Sequence, residues 1–193
     1  LYYIHMKYLI IVASILWGVF FYTNAKAEET LVTNEQFAYE VKGCVYSLYA
    51  DETKYPLNKQ VPLELIIAQA AHESAWGNSR FAVQGNNLFG IRTWNPEDPQ
   101  LKAKGAPDAP WGVRTYTSWC ASVEHYLHIL DTLPVYSQFR EELQFQREVI
   151  KSVTPINLAL YLASWSEQGP EYVRLLQSIM LSLYQKDFYK KIT

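Results

Sequence analysis

The sequence predicts an α+β fold, mainly α: one helical body with a small β-lobe. Three observations carry this. Apolar residues recur at helical 3–4 spacing in segment after segment. Only Phe89–Thr93 and Gly112–Thr117 read as strand, the second from Val113 and Thr115 alternating with Arg114 and Tyr116. No repeat, low-complexity linker or break in composition divides the 193 residues, an ordinary length for one domain.

The chain opens with Met6-Lys7 and an uncharged apolar run from Tyr8 to Tyr22, then the small-x-small pattern Ala25-Lys26-Ala27. This is the grammar of a secretory signal peptide over residues 1–27, cut after Ala27. An uncleaved anchor is the alternative, although the run is short of the ~20 residues a membrane span needs. The expected mature domain, residues 28–193, has 15 basic and 19 acidic residues and no basic stripe. That excludes the nucleic-acid-binding class. A monomer is expected, with membrane contact only through the N-terminal segment.

After a polar lead-in, Asn34 to about Ala50 reads as a helix with Phe37, Val41, Val45 and Leu48 in register. Asp51–Pro62 is a loop. Leu63, Ile66, Ile67, Ala70 and Ala71 then form a buried helical face, with Pro62 at its entry and Gly77 at its exit. Asn86-Asn87-Leu88-Phe89-Gly90 is a tight turn into a strand. Thr93–Pro110, rich in proline and charge, reads as a long surface loop, and long loops in compact domains are often functional. Ser118 or Ser122 can cap a helix with Val123, Tyr126, Leu127 and Leu130. Val135–Phe145 follows Pro134 as another. Asn157 can cap a third, and Pro170 starts the last, with Val173, Leu176, Met180 and Leu183 on one face. The end, KDFYKKIT, is a basic tail.

Cys44 and Cys120 are the only cysteines. In an oxidising compartment such a pair is a candidate disulfide, and two separate buried thiols are the alternative. The 15 tyrosines and 6 tryptophans permit aromatic stacking on sugar rings but do not demand it.

Glu73 is the focus of chemistry. At about 100° per residue it falls beside Ile66 and Ala70, at the edge of the buried stripe. A carboxyl there is partly desolvated, which raises its pKa and suits it to donate a proton. His72-Glu73 begins like a zinc-protease helix, but the place of the second histidine is taken by Trp76. His125 and His128 are one turn apart with no obvious third ligand. No metal and no cofactor is expected.

The strings QAAHESAWGNSR and NNLFGIR, with Trp111–Val123 and Ser166–Val173, resemble bacterial peptidoglycan β-N-acetylglucosaminidases of glycoside hydrolase family 73, in particular their Bax-type branch. The resemblance covers about residues 55–184. It implies a lysozyme-like helical domain and cleavage of the β-1,4 bond after N-acetylglucosamine in peptidoglycan glycan strands, with Glu73 as general acid. It also implies a periplasmic or wall-associated enzyme. A second carboxylate would come from the β-lobe, where Asp98 and Asp108 are the candidates and Glu97 is next, or the substrate's own acetamido group would act instead. Asn86 and Asn87 would wall the sugar site, Trp94 and Trp111 would flank the groove, and Ser166 would lie at it. Where the branch has Tyr-Ser this chain has Trp165-Ser166, so either Tyr172 supplies the tyrosine hydroxyl or it is lost. Two rivals are a lytic transglycosylase or muramidase on the same fold, and a non-catalytic wall-binding protein.

Overall fold

The central helix of the fold is the one that ends at Glu73. In the computed structural model, which describes residues 31–185, this helix runs Leu63–Ser74, and every residue from Leu65 to Ala71 is buried. A helix apolar nearly all round must be enclosed by others. In chain order they are α1 (Asn34–Tyr49), α2 (Leu63–Ser74), α3 (Arg80–Gly85), α4 (Trp119–Thr132), α5 (Ser137–Phe145), α6 (Pro155–Leu158) and α7 (Pro170–Gln185). Tight 3₁₀ turns cover Leu57–Lys59, Pro134–Tyr136 and Ala159–Trp165. The expected signal peptide and the basic tail lie outside the described residues. Among the described residues no helix is long and apolar enough to cross a membrane.

α1 begins on a reciprocal cap: the Thr33 hydroxyl accepts from the Gln36 backbone, and the Gln36 side chain accepts from the Thr33 N–H. Its buried face, Phe37, Ala38, Val41, Cys44 and Val45, packs on α2 and α4. A disulfide joins Cys44 to Cys120 at the start of α4, closing a loop of 76 residues. Such a loop lowers the entropy of the unfolded chain by about 4–5 kcal/mol at 25 °C. α7 also packs on α2, burying Tyr172, Val173, Leu176, Met180 and Leu183. Ser118 caps α4 by accepting from Ala121, while Ser122 is buried and accepts from the Leu88 N–H.

The β-lobe is a three-stranded antiparallel sheet in the order β1 (Arg92–Thr93), β3 (Gly112–Arg114), β2 (Gln100–Leu101). Arg92 faces Val113 across one ladder, and Leu101 faces Val113 across the other. β2 corrects the reading of Thr93–Pro110 as wholly irregular. Two residues are too few for alternation to be seen, and the strand exists because β3 offers it a free edge. Two further differences concern helix boundaries. α3 occupies the stretch between the Gly77 exit and the Asn86–Gly90 turn, for which no helix was expected, and is started by Ser79, whose hydroxyl accepts from Ala82. The segment expected to be capped by Asn157 begins earlier, at Pro155, and tightens to 3₁₀ from Ala159. Pro155 suits a first helical turn because its missing N–H is not needed there.

Candidate active site

Glu73 sits in the last turn of α2, and the chain must leave that turn abruptly. Ala75, Trp76 and Gly77 have φ of 51°, 58° and 78°, three successive left-handed residues. Non-glycine residues resist this conformation, so surrounding contacts must hold it. The Ser74 hydroxyl donates to Ala70 O (2.6 Å) and accepts from Gly77 N (2.8 Å). Asn78 bonds both backbone groups of Val32 at 2.9 and 3.0 Å. Trp76 and Trp119 each set an edge against Phe37. The turn is therefore pinned by hydrogen bonds on one side and aromatic rings on the other.

Across from α2 the 86–90 turn brings backbone against the carboxyl group. Gly90 has φ of +65°, and a Cβ there would lie 3.4 Å from Glu73 Oε2. Asn87 builds this turn. It is buried, donates to Ile91 O (2.9 Å) and Arg114 O (2.8 Å), and accepts from the backbone of Phe89 and Ile91. Its amide is thus spent on the backbone, joining the turn to β3. Asn86 ends α3 in the left-handed conformation and donates to Tyr116 O. Phe89 stacks on Tyr126 with ring centres 4.1 Å apart.

Glu73 is partly buried, and burial raises its pKa above the ordinary carboxyl value. A hydrogen bond from the Tyr172 hydroxyl pulls the other way and is the smaller effect. Tyr172 is fully buried on α7, and its hydroxyl accepts from Gln69 Nε2 at 2.8 Å. Burial, and then the nearby Glu73 charge, push its own pKa far up, so it stays a neutral donor. The His72 ring meets the Tyr172 ring edge-on at 5.6 Å. The result is a carboxyl group with raised proton affinity, steadied by one neutral donor and partly open to solvent. A carboxyl group whose proton affinity is raised holds its proton to higher pH than a free one.

The remaining sequence-named residues are distributed unevenly. Asp98 is engaged inside the β-lobe: Thr93 Oγ1 donates to it at 2.5 Å, and Arg114 pairs with it at 3.0 Å. Asp108 is exposed in the loop that follows β2. Trp94 is 63% exposed beyond β1. Trp111 is partly buried under the Arg92 guanidinium, 4.2 Å from the ring centre. The Ser166 hydroxyl accepts from Gln168 N in the bend before α7. Trp165 packs its ring against Tyr126 and Tyr136. A cavity of about 690 Å³ opens elsewhere, between the 57–59 turn, α4 and α5, walled by Tyr55, His125, Leu127 and Phe139 among others and not by Glu73. Among the described residues no three His, Cys, Asp or Glu side chains are placed to hold a metal ion.

Sequence reasoning missed Gln69 and Tyr126. Gln69 is wholly buried between two tyrosine hydroxyls: besides donating to Tyr172 it accepts from Tyr126 at 2.5 Å. The available signal was a polar side chain one turn before Glu73 on a helix face otherwise apolar.

The chain is similar to known proteins over the region that holds this site. The family described as Glucosaminidase (mannosyl-glycoprotein endo-beta-N-acetylglucosaminidase) matches residues 50–185, a span that includes Glu73, the 86–90 turn, the β-lobe and Tyr172. Protein bax of Escherichia coli (strain K12) is 30% identical over 125 residues, which are 65% of this chain and 42% of that protein. No solved structure matches the chain. With a family match over most of its length and the α+β fold around one half-buried glutamate, the chain belongs to the glucosaminidase family.

Proposed function

We propose that the protein is an exported peptidoglycan hydrolase that cuts the β-1,4 bond after N-acetylglucosamine, with Glu73 as its general acid. The observation that carries the reading is the Glu73 carboxyl at the end of α2: its pKa is raised by burial, it is held by Tyr172, and it is backed by the Gly90 turn. Protonating a glycosidic oxygen requires a carboxyl group that keeps its proton near working pH. Trp94 and Trp111, on the β-lobe side, are proposed as sugar-facing rings, and the exposure of Trp94 supports this. Tyr172 is proposed to supply the hydroxyl at the acid, because its bond to Glu73 is direct. Asp98 is a poor candidate for the second carboxylate, since Thr93 and Arg114 already occupy it. Attack by the substrate's 2-acetamido group removes the need for one. Export is proposed through residues 1–27, where the sequence has the pattern of a cleaved leader.

The test is a digest of purified, reduced peptidoglycan by the protein and by Glu73→Gln, with products read by mass spectrometry. New reducing ends should be N-acetylglucosamine, and their release should fall by roughly 10²- to 10⁴-fold in the variant. Muramyl or anhydromuramyl ends would keep the acid and overturn the bond assignment. Wall binding without any release would replace the enzyme by a binding protein.

A further inference from the structure

The buried polar contacts beneath Glu73 form a chain with a direction. The Tyr126 hydroxyl on α4 donates to Gln69 Oε1 at 2.5 Å. Gln69 Nε2 on α2 donates to the Tyr172 hydroxyl at 2.8 Å. Tyr172 on α7 then has its proton left to give, and it bonds the Glu73 carboxylate. Gln69, Tyr126 and Tyr172 are all fully buried, so no solvent competes for these groups. A buried amide in an apolar helix is costly unless both its ends are satisfied, and here each end meets one tyrosine. The stack of Phe89 on Tyr126 and the edge of Trp165 fix the Tyr126 ring. Phe89 belongs to the turn whose Gly90 faces Glu73, so the same packing sets both the relay and the wall opposite it.

We propose that Gln69 is a positioning residue for Glu73: oriented by Tyr126, it commits the Tyr172 hydroxyl proton to the Glu73 carboxylate. The amide has two unlike ends. With Tyr126 donating to its oxygen, only its N–H₂ end faces Tyr172, and a hydroxyl that already accepts a bond is the better donor. This chain favours the ionised form of Glu73, against the burial that favours the neutral one. Among the described residues, Tyr172 is the group that joins burial in moving its proton affinity. The His72 ring lies against Tyr172 rather than in the chain. A glycosidase acid must give its proton up and then take one back, so a balance of the two is useful to the proposed reaction. The inference rests on Glu73 as the acid, but the relay itself is read without any activity.

The experiment follows the Glu73 side-chain carboxyl by ¹³C NMR against pH in the full chain. The resonance is assigned by its loss in Glu73→Gln. Removing the last bond with Tyr172→Phe should raise the titration midpoint by roughly one to two pH units. Gln69→Met, similar in volume but without hydrogen-bonding ends, should raise it less, by roughly 0.1 to 0.7 unit. Added to Tyr172→Phe, Gln69→Met should produce no further rise, because it acts through that hydroxyl. Where Gln69→Met does not fold, Tyr126→Phe deletes one hydroxyl and carries the same expectation. A midpoint unmoved by both Gln69→Met and Tyr126→Phe, with only melting lowered, would make the amide structural and overturn the proposal. So would a shift that persists in the Tyr172→Phe background. Glycan cleavage is scored separately: a relay seen by NMR in a protein that cleaves nothing keeps the relay and removes the enzyme.

Discussion

Gly77→Ala tests whether the turn behind Glu73 is held by packing. Gly77 has φ of +78°, and an added Cβ would lie 2.7 Å from Trp119 Cη2 and 2.9 Å from Phe37 Cδ2. Gly169 provides the comparison, with φ of +54° and nothing within 4 Å of such a Cβ. In both, alanine in a left-handed conformation costs about 1–2 kcal/mol. In both, a less flexible unfolded chain returns about 0.4–1 kcal/mol. Gly169→Ala should thus cost at most about 1.5 kcal/mol. Gly77→Ala adds the clash with two rings already in mutual contact, about 1–3 kcal/mol more. Urea unfolding followed by tryptophan fluorescence measures the difference, and Trp76 and Trp119 lie close enough to report it. The full cost for Gly77→Ala, about 1–5 kcal/mol, is large against a typical domain stability of about 5–15 kcal/mol. If the two variants unfold within about 0.5 kcal/mol of each other, the aromatic clamp is not what holds the turn, and the account of how Glu73 is placed fails with it.

Two other perturbations separate structure from chemistry. The Glu73 pKa is raised in the folded state, so the folded protein binds its proton more tightly than the unfolded chain does. Below the unfolded value, ~4.3, both states are protonated and there is no penalty; as pH rises from there through the folded value, stability is lost. Glu73→Gln should therefore melt higher than the parent at pH 7–8 and lose that advantage near pH 3; a pH-independent gap would contradict the burial argument. Asp98→Asn should lower stability by about 1–3 kcal/mol, since it weakens the bonds from Thr93 and Arg114, while Asp108→Asn should leave stability within about 0.5 kcal/mol. Thermal melts beside the peptidoglycan digest decide: an Asp98→Asn protein of full stability and no cleavage would make Asp98 the second catalytic carboxylate.

Most helices were legible because burial imposes a period. α1, α2, α4 and α7 each enclose a face of recurring apolar residues; the starts expected at Asn34 and Pro170 agree with the fold, and of the two caps expected for α4, Ser118 or Ser122, the fold uses Ser118. β1 was found as the strand entered from the 86–90 turn and β3 as a short alternating run, but β2 was not, because its two residues acquire meaning only from the strand beside them. The partners of the Asn87 side chain were not legible for a similar reason. The family resemblance implied that Asn86 and Asn87 wall the sugar site; in the fold the hydrogen-bonding capacity of the Asn87 amide goes to Phe89, Ile91 and Arg114 backbone. Helix α3 was too short for a period to stand out against the small residues around it.

The sequence by itself determined the mainly helical class with a small β-lobe, the two cysteines and the family-like strings around Glu73. It also determined that Glu73 would lie at the edge of a buried stripe, since helical periodicity is a local property. Only the tertiary structure decided what meets that carboxyl: a hydroxyl from Tyr172, 99 positions away and itself bonded by the Gln69 amide, and a backbone wall at Gly90. Pattern fixes which face of an element is buried. The partners of that face are chosen by packing between elements distant in the chain, and proton affinity depends on those partners.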